Sequence, residues 1–193
     1  KARTTLIPPI LRPEIIDARR EPGEHVLVYQ SGDSDEGLIP TLQRLPWTFH
    51  VYGMNKDETQ GNVTLKPFSE VGFVDDLRTA RAVLATGGFS LMSEAIHLRV
   101  PMLAVPIADQ YEQELNCRYL AMLGYGAWSP QLDEGTIERF LSRNESYVEA
   151  LQAYEPTDNS MTLACVDELV RAVELGEKRP KRLQSASRGA WWG

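Results

Sequence analysis

Ala82-Val83-Leu84-Ala85-Thr86-Gly87-Gly88-Phe89-Ser90-Leu91-Met92-Ser93-Glu94-Ala95 is the stretch whose reading decides the fold. Its apolar first four residues read as a buried strand. The two glycines let the backbone turn sharply and expose its N–H groups, and Ser90 is placed to cap a new helix. A helix N-terminus carries roughly half a positive charge and several unpaired N–H donors, so this turn predicts a cradle for a phosphate or diphosphate that needs no lysine. Ser90 and Glu94 are four residues apart and share a helix face. A carboxylate one turn in from the phosphate end is placed to accept hydrogen bonds from the paired hydroxyls of a ribose. Downstream, Val100-Pro101-Met102-Leu103-Ala104-Val105-Pro106 contains the next strand, and Asp109-Gln110 emerge just past it at the same edge of the sheet.

The rest of the chain supplies a setting for such a turn. Its 193 residues, 42% hydrophobic and 24% charged, suffice for one compact domain with a substantial core. After a proline-marked entry (Pro8, Pro9, Pro13), β-rich runs at 25–30, 48–52, 63–65, 82–85, 102–105 and 126–128 alternate with helix-patterned segments at 38–45, 73–79, 90–98 and 110–123. Gly124 stops the last of these, and helices at 133–142, 145–153 and 161–175 follow. Several runs lack polar alternation, as in strands covered on both faces. The predicted class is therefore α/β, a Rossmann-like doubly wound parallel sheet of about six strands. Ligands of that class sit beyond the carboxyl ends of the strands, where Gly87 and Gly88 fall.

Several function classes are disfavoured. The formal net charge of -7 offers nucleic acid no general attraction. No apolar stretch reaches the ~20 residues that cross a bilayer, and Lys1 to Thr5 lacks the apolar run of a secretory signal. A cytoplasmic location follows as the expectation. The two cysteines, Cys117 and Cys165, are far apart and sit among helix-patterned apolar residues, which suggests buried thiols rather than a disulfide framework. His25, His50 and His97 have no metal spacing, so neither a metal nor another cofactor is expected. Glu177 to Gly193 holds five basic residues and one acid and ends in Trp191-Trp192. This stretch is either a solvated tail or a docking element for another domain or an anionic membrane surface, the latter implying peripheral contact with the inner face of a membrane.

From about residue 6 to 175 the chain resembles the C-terminal, donor-binding half of a two-domain (GT-B) glycosyltransferase, in particular the family 28 type related to the lipid-linked N-acetylglucosaminyltransferase of peptidoglycan synthesis. The resemblance rests on Asn62 to Glu70, Phe73 to Leu77, Thr86 to Ser90, and Pro106 to Gln110. It implies a hexosyltransferase that binds a nucleotide-diphosphate sugar, with uridine as the base. By the same resemblance Phe68 and Ser69 sit beside the nucleobase, Gly87, Gly88, Phe89 and Ser90 at the diphosphate, Glu94 at the ribose, and Asp109 and Gln110 at hydroxyls of the donor sugar. The Ser31-Gly32 turn corresponds to a second glycine-rich loop near the phosphate and the acceptor cleft. Thr86 stands where the family often has a histidine or arginine, which removes one cation from the leaving diphosphate.

The division expected on this basis is a linker-like entry at 1–24, a donor-binding domain at 25–176 and a basic tail at 177–193. The acceptor site and general base would belong to an N-terminal domain, so this piece alone would be inactive. Simpler readings stand beside these: Asp109 as a cap of the following helix, Phe68 as core, Glu94 as a carboxylate stabilised near a helix start, and His97 as structural. Among rival enzymes, a dinucleotide oxidoreductase lacks its three-glycine fingerprint, since Ser31-Gly32-Asp33-Ser34-Asp35-Glu36-Gly37 follows the first strand. A serine hydrolase built on Gly88-Phe89-Ser90 has Met92 where its second glycine belongs. A sugar-nucleotide epimerase with a similar ribose-binding glutamate stays open, as does a non-catalytic nucleotide-sugar-binding module.

Overall fold

A computed structural model describes residues 6–30 and 37–175. The Ser31-Gly32 turn and the basic tail therefore lie outside the described residues.

Seven strands form one sheet: β1 (Val26–Tyr29), β2 (Phe49–Tyr52), β3 (Glu58–Gln60), β4 (Val63–Leu65), β5 (Ala82–Thr86), β6 (Met102–Val105) and β7 (Gly126–Trp128). Their order is β3-β4-β2-β1-β5-β6-β7, and every pairing is parallel except β3 with β4. The six expected strands are all present. The seventh, β3, escaped the sequence reading because Glu58, Thr59 and Gln60 carry no apolar signal, as suits an antiparallel edge strand facing water.

The strands alternate between two cores, one on each face of the sheet. Val26 and Val28 of β1, Leu84 of β5 and Leu103 of β6 contribute to one, with Leu38, Leu42, Ile137 and Phe140 from helices α2 (Leu38–Gln43) and α6 (Glu134–Ser142). Leu27, Val83, Met102 and Ala104 contribute to the other, against α3 (Glu70–Thr79), α4 (Phe89–His97) and α5 (Tyr111–Met122). Unbroken apolar strands are what a sheet covered on both faces requires. Further along the chain lie α7 (Asn144–Gln152) and α8 (Ser160–Glu174). Gly124 ends α5 as expected, adopting φ +73, a conformation few side chains tolerate.

The entry, read from sequence as irregular, contains a short helix, α1 (Pro13–Ile16), and is packed onto the body. Ile15 is fully buried in the second core. The Asn159 side chain bonds both the N–H and the C=O of Leu11, at 2.9 and 2.8 Å, and the Thr162 hydroxyl donates to the Pro8 carbonyl at 2.8 Å. These bonds satisfy backbone groups that no strand or helix uses, and they fix where Arg12 sits.

The order of the strands reverses direction between β1 and β5. That is the switch point of a doubly wound sheet, where the helices on either side diverge and leave a crevice at the carboxyl ends.

Candidate functional site

At the carboxyl end of β5 the chain turns through Gly87 and Gly88 into α4. The two glycines serve different purposes. A Cβ on Gly87 would lie 2.6 Å from Cys117 Sγ and 2.7 Å from the Gln113 carbonyl oxygen, so the turn packs against α5 only because no side chain is there. The Asn116 side-chain amide locks it further, donating to the Gly87 carbonyl at 3.1 Å. A Cβ on Gly88 would meet nothing closer than Thr86 Oγ1 at 4.0 Å. Gly88 has ordinary backbone angles, so the fold does not demand a glycine here, and the open space beside it lies in front of the helix.

Gly88, not Ser90, is the N-cap of α4, and no side chain caps the helix. The expected cap falls inside the helix because the extended ψ of Gly88 (134°) starts the spiral one residue after the turn, leaving Ser90 exposed in the first turn. The consequence favours a ligand: among the described residues no side chain caps the first-turn N–H groups.

Glu94 lies farther along α4 and is buried. Both of its oxygens are engaged by Arg12 of the entry, Nε to Oε1 at 2.7 Å and Nη2 to Oε2 at 2.8 Å. Arg12 also reaches Glu70 Oε1 at 3.3 Å, and its guanidinium lies 6.0 Å from the centre of the Phe73 ring. Phe68 in turn sits 6.4 Å from Phe73, ring to ring. One arginine thus ties the carboxylate of α4 to the start of α3 and the loop beyond β4. Sequence reasoning missed Arg12, which is 82 positions from Glu94 and had only the Leu11-Arg12-Pro13 context of a linker-like entry to mark it.

The other expected residues are distributed as follows. Phe68 is 60% exposed, so it is not core and presents an aromatic face at the carboxyl edge. Ser69 caps α3, its hydroxyl accepting from the Gly72 N–H at 3.2 Å. This cap starts α3 at Glu70 rather than at the expected residue 73. Phe89 is half exposed beside Gly88. Asp109 does not cap the next helix: Gln110 occupies that position, and Asp109 precedes it in a left-handed conformation, φ +63, with its carboxylate in solvent. Gln113 binds the Ile107 N–H at 3.1 Å and Gln110 Oε1 at 2.7 Å, so the β6 loop and the Gly87 turn both rest on the first turn of α5. His97 is at the far end of α4, away from this edge.

A second polar cluster, which sequence spacing gave no reason to expect, lies between β2 and α3. Asp76 is buried and receives Lys66 Nζ at 2.6 Å and the Tyr52 hydroxyl at 2.7 Å, with His50 Nδ1 3.1 Å away but not aligned for a hydrogen bond. His25 stacks on His50, ring centres 4.1 Å apart. Burial alone would push the Asp76 carboxyl up, but the contacts with His50, Lys66 and Tyr52 outweigh it and hold the group below the usual carboxylate range. His25, His50 and Asp76 each place a potential metal-ligand atom within 4.8 Å of the others. The lysine ammonium already balances the carboxylate, and the nearly parallel rings, 16° apart, do not converge on a common point, so the cluster reads as a structural ion network. Cys117 and Cys165 are free and buried; burial pushes the Cys117 thiol up to about 11. Among the described residues no helix is long and apolar enough to cross a membrane.

A doubly wound, mostly parallel sheet with a glycine turn at its switch point has the architecture of one Rossmann-like half of the GT-B fold. Residues 1–144 match the family described as glycosyl transferase family 1, and the chain belongs to that family. No curated protein matches it. Among solved structures it is similar to the spinosyn forosaminyltransferase SpnP (16% identity, TM-score 0.55, covering 87% of this chain and 49% of that one). It is also similar to the glycosyltransferase SnogD from Streptomyces nogalater (21%, 0.55, 86% and 46%) and to Os79 from O. sativa in complex with UDP (21%, 0.53, 72% and 36%). The chain thus spans about half, or less, of the length of these proteins.

Proposed function

We propose that this domain grips the nucleoside diphosphate of an activated sugar, a UDP-sugar foremost, and presents its anomeric carbon to an acceptor held by a further domain. The observation that carries the reading is the pairing of an open Gly88 with an uncapped first turn of α4: a Cβ would fit there, and among the described residues no side chain caps the turn. Os79, one of the structural neighbours, is described in complex with UDP, which supports uridine as the base. The finer relation to the peptidoglycan N-acetylglucosaminyltransferase belongs to the same proposal.

In this scheme the amides of Phe89, Ser90 and Leu91 receive the diphosphate. Negative charge grows there as the glycosidic bond breaks, and donors fixed in advance act on it without reorganising; one such donor is worth about 3 kcal/mol. No metal is called for. A carboxylate has about four lone-pair positions, and Arg12 uses two on Glu94, leaving two for the hydroxyls of the ribose. The guanidinium also neutralises a buried carboxylate that would otherwise repel an approaching diphosphate. Phe68 offers a face for the base, and Asp109 and Gln110 offer polar atoms for the sugar.

Calorimetric titration with UDP, GDP, dTDP, ADP and NAD at equal concentrations tests the reading. The expected result is selective binding of UDP, abolished by Gly88→Val and weakened at least tenfold by Glu94→Ala. Binding that survives both substitutions in a folded protein refutes it.

A further inference from the structure

At the opposite end of α4, about 13 Å along the helix axis from the glycine turn by the rise of an α-helix, lies a cavity of about 250 Å³. Ile16, Leu98 and Pro156 form its apolar wall, and Arg20, His97 and Arg99 supply all its ionisable groups; no carboxylate lines it. Among the described residues neither arginine has a carboxylate within ion-pair distance.

The arginines are held in place by backbone carbonyls. Arg20 donates to the carbonyls of Arg78 and Ala80, both at 2.6 Å, and Arg99 Nη2 donates to the Tyr154 carbonyl at 3.2 Å. These bonds position the guanidinium groups but cannot neutralise them. Arg99 Nε and His97 Nδ1 are fully buried atoms with no hydrogen-bond partner among the described residues. No water-sized probe reaches these two atoms, so what the two residues offer the cavity is the rest of their side chains, with the remaining guanidinium N–H groups of Arg20 and Arg99 as donors. The electrostatics agree: burial pushes the Arg20 guanidinium down to about 10, and burial together with Arg99 lowers the His97 imidazole.

Basic residues at a helix C-terminus complement its dipole, and His97 and Arg99 do stand there. That role is served from solvent and gives no reason to bury Nε and Nδ1 unpaired. Nor are the last carbonyls of α4 in need of the side chains, since the N–H groups of Leu98, Arg99 and Val100 already bond the carbonyls of Glu94, Ile96 and Ala95.

We propose that this cavity is a binding site for a phosphate-sized oxyanion carried as the monoester of a small metabolite, received by Arg99, His97 and Arg20 with its carbon body against Ile16, Leu98 and Pro156. Arginine forks suit the oxygens of a phosphate, and the volume exceeds what the bare ion fills. The site is separate from the nucleotide crevice and independent of the function proposed for it.

The test is a nuclear magnetic resonance titration of the ¹⁵N-labelled protein with inorganic phosphate, with glycerol 3-phosphate, and with sodium chloride at matched ionic strength. The expected result is a saturable shift of the Arg99 Nε–H signal with both phosphates, the ester half-saturating at least threefold below the ion, and no such shift with chloride. Equal affinity for ion and ester overturns the monoester part of the proposal. Two variants complete the test: Arg99→Asn, chosen because asparagine accepts the φ of +55 at this position, and His97→Phe, which keeps a ring. Both should lose the thermal stabilisation that phosphate confers on the parent, and His97→Phe should melt no lower than the parent in its absence. Shifts confined to the amides of Gly87 to Ser90, or stabilisation by phosphate that persists in both variants, overturn the proposal.

Discussion

Adjacent glycines at 87 and 88 look equivalent in sequence and are separated by what a Cβ would touch. Gly87→Ala drives a methyl group into Cys117 and the Gln113 carbonyl and should destabilise the domain by about 1–3 kcal/mol, the cost of overpacking, in urea unfolding. Gly88→Val should cost no more than about 1 kcal/mol, the loss of a favourable N-cap residue, because its Cβ meets open space among the described residues. Arg12 poses the converse case. Arg12→Ala strands a buried carboxylate that had two charge-assisted bonds, so a loss of about 2 kcal/mol is expected from the lost hydrogen bonds to a charged group. If Arg12 positions Glu94 for the ribose, UDP affinity falls in the same variant; Arg12→Lys, which keeps the charge but not the fork, should recover only part of it.

At the scale of elements, the helices show where local chemistry and packing part company. α3 was expected from residue 73, where its apolar residues begin, yet it starts at Glu70 because the Ser69 hydroxyl captures the Gly72 amide. Ser69→Ala should cost about 1 kcal/mol of stability, measured by urea unfolding, whatever its effect on nucleotide binding. The signal was present in Ser69-Glu70 but was masked by Gly72, a poor helix former in the first turn. β3 was invisible for another reason: an edge strand needs only backbone pairing with β4, and its exposed side chains carry no hydrophobic pattern. Asp109 was read as cap or ligand contact, and the structure removes the first role by placing Gln110 at the cap.

For the molecule as a whole, titration links sites that share no contact. His25 and His97 both have imidazoles lowered chiefly by burial, so the folded chain binds their protons less readily than the unfolded chain does. Where the unfolded state binds more protons, stability rises with pH. Stability should therefore fall as pH drops from about 7 toward 5, through and below the unfolded histidine value near 6.5. Asp76 acts in a lower window: its depressed pKa contributes stability above about pH 4 that is lost on further acidification. Urea midpoints across pH 4 to 7.5 check the first window, and His97→Phe should flatten it. The alternation of apolar runs with helix-patterned segments, together with the glycine turn after the run at 82–85, was enough for the sequence alone to determine a doubly wound sheet and the edge at which its candidate site opens, because both follow from local periodicity and backbone freedom. Only the tertiary structure decided that Arg12 holds Glu94, that Asp76 gathers Tyr52, Lys66 and His50, and that two arginines and a histidine meet without an acid around one cavity. The contacts of Arg12 with Glu94 and of Asp76 with its partners join side chains 10 to 82 positions apart. Their energies depend on burial and distance, which residue order alone does not encode.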